Sequence, residues 1–197
     1  MRRTLLTFVA VVATIATLYA MQHSTPYYSD IVSMVKVRGE AGKPVSTAKF
    51  TMGVAEAYMA DQLVTSSFGN DRNYTTSGKW LVLEAAARAN KESINLMSAL
   101  WQGPSGAQYA LSQRITNAWG VLGSERLEPG IPRPVLLIFE LPEHEIKGGS
   151  LLVAESLITP LAQQAEIRVG FPDESHTQHA ILIKRGGRIQ PWALEAR

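Results

Sequence analysis

Cysteine is absent from the 197 residues, and that absence removes several classes of chemistry. Neither a disulfide framework, a thiolate metal site, a cysteine nucleophile nor a lipid-modified cysteine anchor can be built. Compartment stays open, because a chain of this length can hold an exported domain together by burial alone. An excess of one charge is missing too. The formal net charge is +2, from 19 Lys and Arg against 17 Asp and Glu, and Arg2 and Arg3 supply all of it. Beyond them the chain is electrically balanced, whereas a nucleic-acid footprint needs a concentrated basic face; no nucleic-acid partner is expected. Three catalytic signatures are also lacking. No Gly-x-Ser-x-Gly elbow occurs, since Gly103-Pro104-Ser105-Gly106 is too short and reads as a turn. Nor is there a phosphate-cradling glycine loop or a dinucleotide fingerprint, so no cofactor is expected.

A folded protein is nonetheless indicated. Hydrophobic residues make up 46% and charged residues 18%, the balance of a globular chain rather than a disordered one. Met1-Arg2-Arg3-Thr4 is a short positive start, and residues 5–21 follow as 17 uncharged, mostly apolar positions, the first acidic residue being Asp30. This pattern reads as an export signal. Seventeen residues is the short limit for crossing a hydrocarbon core of about 30 Å, which takes roughly 17–25. A cleavable signal has a shorter apolar core, about 7–15 residues, followed by a small-x-small site. The best such sites, Thr14-Ile15-Ala16 and Leu18-Tyr19-Ala20, are both imperfect. The expectation is therefore an uncleaved signal-anchor, with Arg2 and Arg3 inside and the domain outside the cytoplasmic membrane; signal cleavage and a secreted or periplasmic product is the alternative.

The stretch around which the remainder is arranged is 78–90, Gly-Lys-Trp-Leu-Val-Leu-Glu-Ala-Ala-Ala-Arg-Ala-Asn. Alternate residues Leu81, Leu83, Ala85, Ala87 and Ala89 give one apolar face; Trp80, Val82, Glu84, Ala86 and Arg88 give a mixed one. Such alternation is the mark of a half-buried strand. A helix competes, because residues 84–89 have high helix propensity and Val82, Ala85, Ala86 and Ala89 would form a stripe.

Gly-x-Trp-hydrophobic-Val-hydrophobic running to Asn90 resembles the core strand of a family of bacterial extracytoplasmic immunoglobulin-like domains of unknown function, related to the mycobacterial secreted immunoprotective antigen. Gly106-Ala107-Gln108-Tyr109 with Leu111 and Ser112, Leu127-Glu128-Pro129-Gly130, and residues 135–142 with Phe139, Glu140, Leu141 and Pro142 resemble further segments of it, in order. The resemblance covers roughly residues 47–170 and implies an all-β fold, an immunoglobulin-like β-sandwich of about seven strands. The alanine run departs from the β-branched residues usual in that strand.

The expected organisation is a signal-anchor or signal peptide over 1–21, a tether over 22–46, the sandwich over 47–172, and a C-terminal hairpin extension over 173–197. Strands are expected from 49 to 63, 78 to 90, 96 to 101, 109 to 115, 135 to 141, 151 to 154 and 167 to 171. A polar loop is expected over 66–77 and an irregular stretch over 117–133. The hairpin would pair 180–184 with 188–192 about Gly186-Gly187, which suits a tight turn.

Few residues suggest chemistry. His176 and His179, beside Asp173 and Glu174, offer metal-ligand atom types, but the spacing lacks a helical frame to converge the rings, and a solvated loop explains it better. Glu143-His144-Glu145 reads as a polar turn. Trp80 and Trp101 are expected in the core, while Trp119 and Trp192, in less regular contexts, are candidates for partner contact. Lys184, Arg185 and Arg188 read as a charged hairpin tip. The resulting expectation is a non-catalytic, membrane-anchored extracytoplasmic interaction or accessory module, meeting a protein partner in the cell envelope. The alternatives are a secreted small-ligand or glycan-binding domain and a metal-dependent hydrolase.

Overall fold

The structure, a computed structural model, describes residues 2–24, 33–67, 70–96, 98–115, 120–122, 126–156, 161–170 and 177–196. Helix α1 spans Arg2–Ser24. Strands β1 (Val35–Glu40), β2 (Val45–Ser46), β3 (Phe50–Ser67) and β4 (Asn70–Ala89) follow. Then come β5 (Ile94–Asn95), β6 (Ser98–Gln102), β7 (Gln108–Ala110), β8 (Arg126–Leu127) and β9 (Arg133–Leu141). A 3₁₀ turn at Glu143–Glu145 leads to β10 (Ser150–Ala154), β11 (Gln163–Arg168), β12 (Thr177–Arg185) and β13 (Trp192–Ala196). One sheet has the order β1-β11-β10-β6-β7, and the other β13-β12-β3-β4-β9 with β2 also on β3. The two face each other as a β-sandwich. It has more strands than the seven or so of the expected scheme because β1 joins β11 and β12 joins β3, both in parallel.

The alternation of residues 78–90 explains the core. Leu81, Leu83, Ala85, Ala87 and Ala89 are all buried in the cluster between the sheets, with Met52, Val54, Leu137, Phe139, Leu151 and Ile167. Fully burying a Leu, Ile, Val, Phe or Met side chain is worth about 1.5–3 kcal/mol, so this face alone secures β4 as a strand against its helical propensity. Trp101 fills the middle, its indole N–H donating to the Glu145 carbonyl at 2.7 Å and its ring 6.2 Å from that of Phe139. Strand β9 is apolar on both faces because both are covered. Its free edge takes backbone bonds from residues 112–122: Ser112 N–H to Ile138 O, Leu122 N–H to Leu136 O, and Leu136 N–H to Gly120 O.

A second core lies on the other face of β4. Between the pairs Ala60–Trp80 and Gln62–Thr75, one residue of β3, Asp61, stands opposite four of β4, residues 76–79. Surplus residues on one strand bend a ladder sharply. Beyond the bend Leu63, Ile181 and Ile183 join Trp80, Val82, Leu136 and Ile138 in one buried cluster. The far half of the β3–β4 hairpin, with β12 alongside, therefore turns back over the near half. Trp80 clamps the corner by donating its indole N–H to Tyr74 O at 3.1 Å.

Several expectations are corrected. The polar stretch 66–77 is not a loop: β3 extends to Ser67 and β4 begins at Asn70. Its Ser, Asn, Asp and Thr residues largely occupy the exposed face of the turned-back hairpin, where polar side chains are no obstacle to pairing. The tether over 22–46 is cut short, since β1 and β2 bring Val37 and Val45 against the core. The expected strand 109–115 is reduced to Gln108–Ala110, after which the chain leaves for the edge of β9. The last strand of the first sheet is Gln163–Arg168 rather than 167–171, because Ala165 and Ile167 are the residues that face inward. The C-terminal pair is β12 with β13, joined by residues 186–191 rather than by a two-residue turn, with Gly186 N–H donating to Pro191 O at 2.8 Å. It is an integral part of the second sheet, since β12 runs parallel beside β3.

Candidate functional site

The turned-back hairpin covers only part of the outer face of β3, β4 and β9. Along β4 the outward residues are Trp80, Val82, Glu84, Ala86 and Arg88; the first two are buried, Glu84 is half-buried, and the last two are exposed. Cover ends at Glu84, whose Oε1 accepts the Trp192 indole N–H at 2.6 Å and the Gln190 amide N–H at 2.7 Å. Glu84 and Glu56 occupy opposed positions on β4 and β3. Burial first, then these two carboxylates, raise the Tyr58 phenol above its ordinary value, and Tyr58 also hydrogen-bonds Glu84.

Past Glu84 the face is bare, and its register makes it shallow. Gly53 stands opposite Ala86, which stands opposite Pro134 on β9. Three small or ring-closed residues in a row cannot fill the space that larger ones would, and a groove of about 490 Å³ results. Thr51, Gly53, Ala55 and Ala86 line it from the sheet, with Pro44, Pro134 and, at the Glu84 end, Trp192. Lys43 and Arg88 stand on its rim. Clefts of about 300–1,000 Å³ with apolar walls and a few charged groups are the usual form of a ligand site.

Of the residues singled out in the sequence, Trp192 lines this groove, and the others that the structure describes lie elsewhere or serve the interior. Trp192 is buried, 2% exposed, with its ring against Gly120 and its indole N–H on Glu84, and it meets the groove at the Glu84 end. Trp80 and Trp101 are fully buried, as expected. Trp119 and His176 lie outside the described residues. His179 is exposed on β12 and directs Nδ1 at Asp61 Oδ2, 3.5 Å away. Asp61 also receives the Lys79 ammonium at 2.5 Å. The hydrogen bond from Lys79 holds the Asp61 carboxyl below its usual value, and the reciprocal bond raises the lysine. This trio sits at the hairpin corner and braces it. Among the described residues no three His, Asp or Glu side chains are grouped to hold a metal ion. Glu145 is a buried carboxylate that accepts the Ser105 backbone N–H at 3.4 Å, occupying the space that the missing side chain of Gly103 leaves. It thereby closes the 103–106 turn against the core.

No family model and no curated protein matches the chain. Solved structures do. The YjhA protein of Bacillus subtilis is similar over 66% of this chain and 98% of its own, at 12% identity and a TM-score of 0.50. An uncharacterised β-sandwich protein of Clostridium difficile 630 covers 73% of this chain and 99% of its own, at 12% identity and a TM-score of 0.46. The secreted protein MPT63 of Mycobacterium tuberculosis covers 68% and 99%, at 13% identity and 0.45. The shared feature is the β-sandwich. The likeness to YjhA, at a TM-score of 0.50, is one of fold alone.

The groove itself was missed in the sequence. Its one advance signal was the shrinking of outward residues along β4, from Trp80 through Val82 to Ala86, which the alanine run contains.

Proposed function

We propose that this chain is a non-catalytic binding module held at the outer face of the cytoplasmic membrane by α1, with the groove beyond Glu84 as its binding surface. The observation that carries the reading is the helix. Its 23 residues include none that is buried, so the sandwich gives its apolar surface no cover, and water is a poor solvent for it. Its hydroxyls at Thr7, Thr14 and Thr17 are satisfied within the helix, each donating to the carbonyl four residues earlier at 2.8–2.9 Å. A hydroxyl placed this way is compatible with a hydrocarbon surround. Arg2 and Arg3 on the short side favour retention of that end in the cytoplasm.

The reading is tested with the full chain, tagged at its C-terminus, in a bacterial host. The expected result is a membrane pellet that resists alkaline carbonate, degradation of the sandwich by protease added to intact spheroplasts, and an intact mass equal to the whole 21.5 kDa chain plus its tag. A soluble product lacking its first ~20 residues would overturn the anchor and favour the second reading, a secreted small-ligand binder, which the same groove would serve.

A further inference from the structure

We infer that the groove takes a single-chain anionic lipid drawn from the adjoining membrane, its carboxylate held by Arg88 and Lys43 and its chain laid along Ala86 and Ala55 toward Trp192. This deepens the reading above and rests on it for the source of the ligand. Gly53, Ala55, Ala86, Pro44 and Pro134 offer the groove no side-chain hydrogen-bonding group, and the polar side chains Thr51, Glu84 and Gln190 that also line it are bonded to Asn90, Trp192 and each other. Such a surface gains from burying methylenes, about 0.8 kcal/mol for each, and it repels a sugar or a polar peptide, whose hydroxyls and amides would be left unpaired. Two exposed aliphatic residues, Ile131 and Ile189, adjoin groove-lining residues Pro132 and Gln190 and extend the apolar surface.

The charges give the ligand its direction. Neither Lys43 nor Arg88 has an ion-pair partner among the described residues. Arg88 stands one outward position beyond Ala86 on β4, while Lys43 sits on the turn between β1 and β2. The groove's carboxylate, Glu84, is at the opposite end and is already engaged by Trp192 and Gln190. An anionic head therefore belongs at the Arg88 end, where a guanidinium can take a carboxylate through two parallel bonds. Source follows from reach. Ten residues, 25–34, join Ser24 to Val35, a connection spanning at most about 40 Å, so the groove cannot leave the neighbourhood of the bilayer.

The test is photoaffinity labelling of the full chain in phosphatidylcholine vesicles with a long-chain fatty acid carrying a mid-chain diazirine, the adducts being mapped by peptide mass spectrometry. Adducts in α1 report partition into the bilayer and serve as the internal reference. The expected result is a second set of adducts at residues 51–55, 84–88 or 190–192, displaced by unlabelled palmitate but not by the neutral alcohol of the same length. Relative to the helix adducts, this set should fall about tenfold in the Lys43→Glu, Arg88→Glu double variant, as loss of a charge-assisted contact implies. Ala86→Trp, which fills the groove from an exposed position, should abolish it while leaving the melting temperature in place. Adducts confined to the helix, displacement by the alcohol as readily as by the acid, or groove labelling unchanged in both variants would each overturn the inference. Groove adducts on a chain that has lost its helix would support the site and overturn only the anchor.

Discussion

Single residues fix the bends of this sandwich, and Gly78 is the sharpest case. A Cβ at Gly78 would fall on the Leu141 carbonyl oxygen and within 2.8 Å of its carbon, backbone atoms that cannot swing aside as a side chain can. Gly78→Ala should therefore force β9 away from the corner and cost about 1–3 kcal/mol, the range for overpacking, seen as a lower urea midpoint with an unchanged slope. One residue on, Lys79 forms the ion pair that braces the same corner. Asp61 is held below its ordinary value of 3.8, chiefly by the hydrogen bond from Lys79. A carboxylate whose folded value is depressed adds stability that is fully present above its unfolded value and disappears as pH falls through the folded one. Asp61→Asn should thus be less stable than the native chain at neutral pH by about 0.2–1 kcal/mol, the worth of an exposed pair after solvent screening. The two melting curves should converge as the medium is taken below pH 3.8. A gap that persisted in acid would mean that the asparagine acts through packing and not through the charge.

Among the elements, the turned-back hairpin ties the C-terminus into the fold. Residues 78–90 were legible as a strand because one face is uniformly apolar, and 135–141 because every residue but Glu140 is apolar. The far half of the hairpin was not, because Asp71, Asn73 and Thr75 face water, while β12, which pairs with the other side of β3 there, lies more than a hundred residues away in sequence. The tight turn read at Gly186-Gly187 failed for a related reason: Trp192 begins its strand where its indole can reach Glu84, and a register set by a distant carboxylate leaves no local mark. The groove was illegible as a site, since its lining is drawn from five stretches of chain that come together only through pairing. The residue pattern announced the core cluster between the sheets and concealed the second one. That second cluster makes a prediction against the boundary first drawn at residue 172. Removing residues 173–197 strips Ile181, Ile183 and Trp192 from Trp80, Val82, Leu136 and Ile138. At about 1.5–3 kcal/mol for each large side chain exposed, the loss rivals the whole stability of a domain, about 5–15 kcal/mol. The truncated chain should show no cooperative thermal transition; a sandwich that still melted sharply would mean the second cluster is peripheral.

At the scale of the whole molecule, the helix is apolar and uncovered whereas the sandwich buries its own apolar faces. The apolar run of residues 5–21 has the composition of a segment that satisfies itself, and the structure extends it to a helix of 23 residues with no buried position. The sandwich completes both its cores from residue 35 onward, with Val37 the first side chain to pack on them. Neither part requires the other for burial. Deleting residues 2–24 should accordingly leave the melting temperature within about 2 °C of the full chain in a mild detergent, the scale of a change that touches no buried group. The same deletion should move the protein entirely out of the membrane pellet. A fall of many degrees would instead mean that α1 lies against the sandwich as a structural part, covering apolar surface such as that around Ile131 and Pro132. The groove would then be a seat for the chain's own helix and not for a lipid, and labelling would have to fall on both partners of that contact at once. The two outcomes are opposed because a surface already filled by the chain cannot gain from a ligand, whereas an open one near a bilayer is exposed to its single-chain anions continuously.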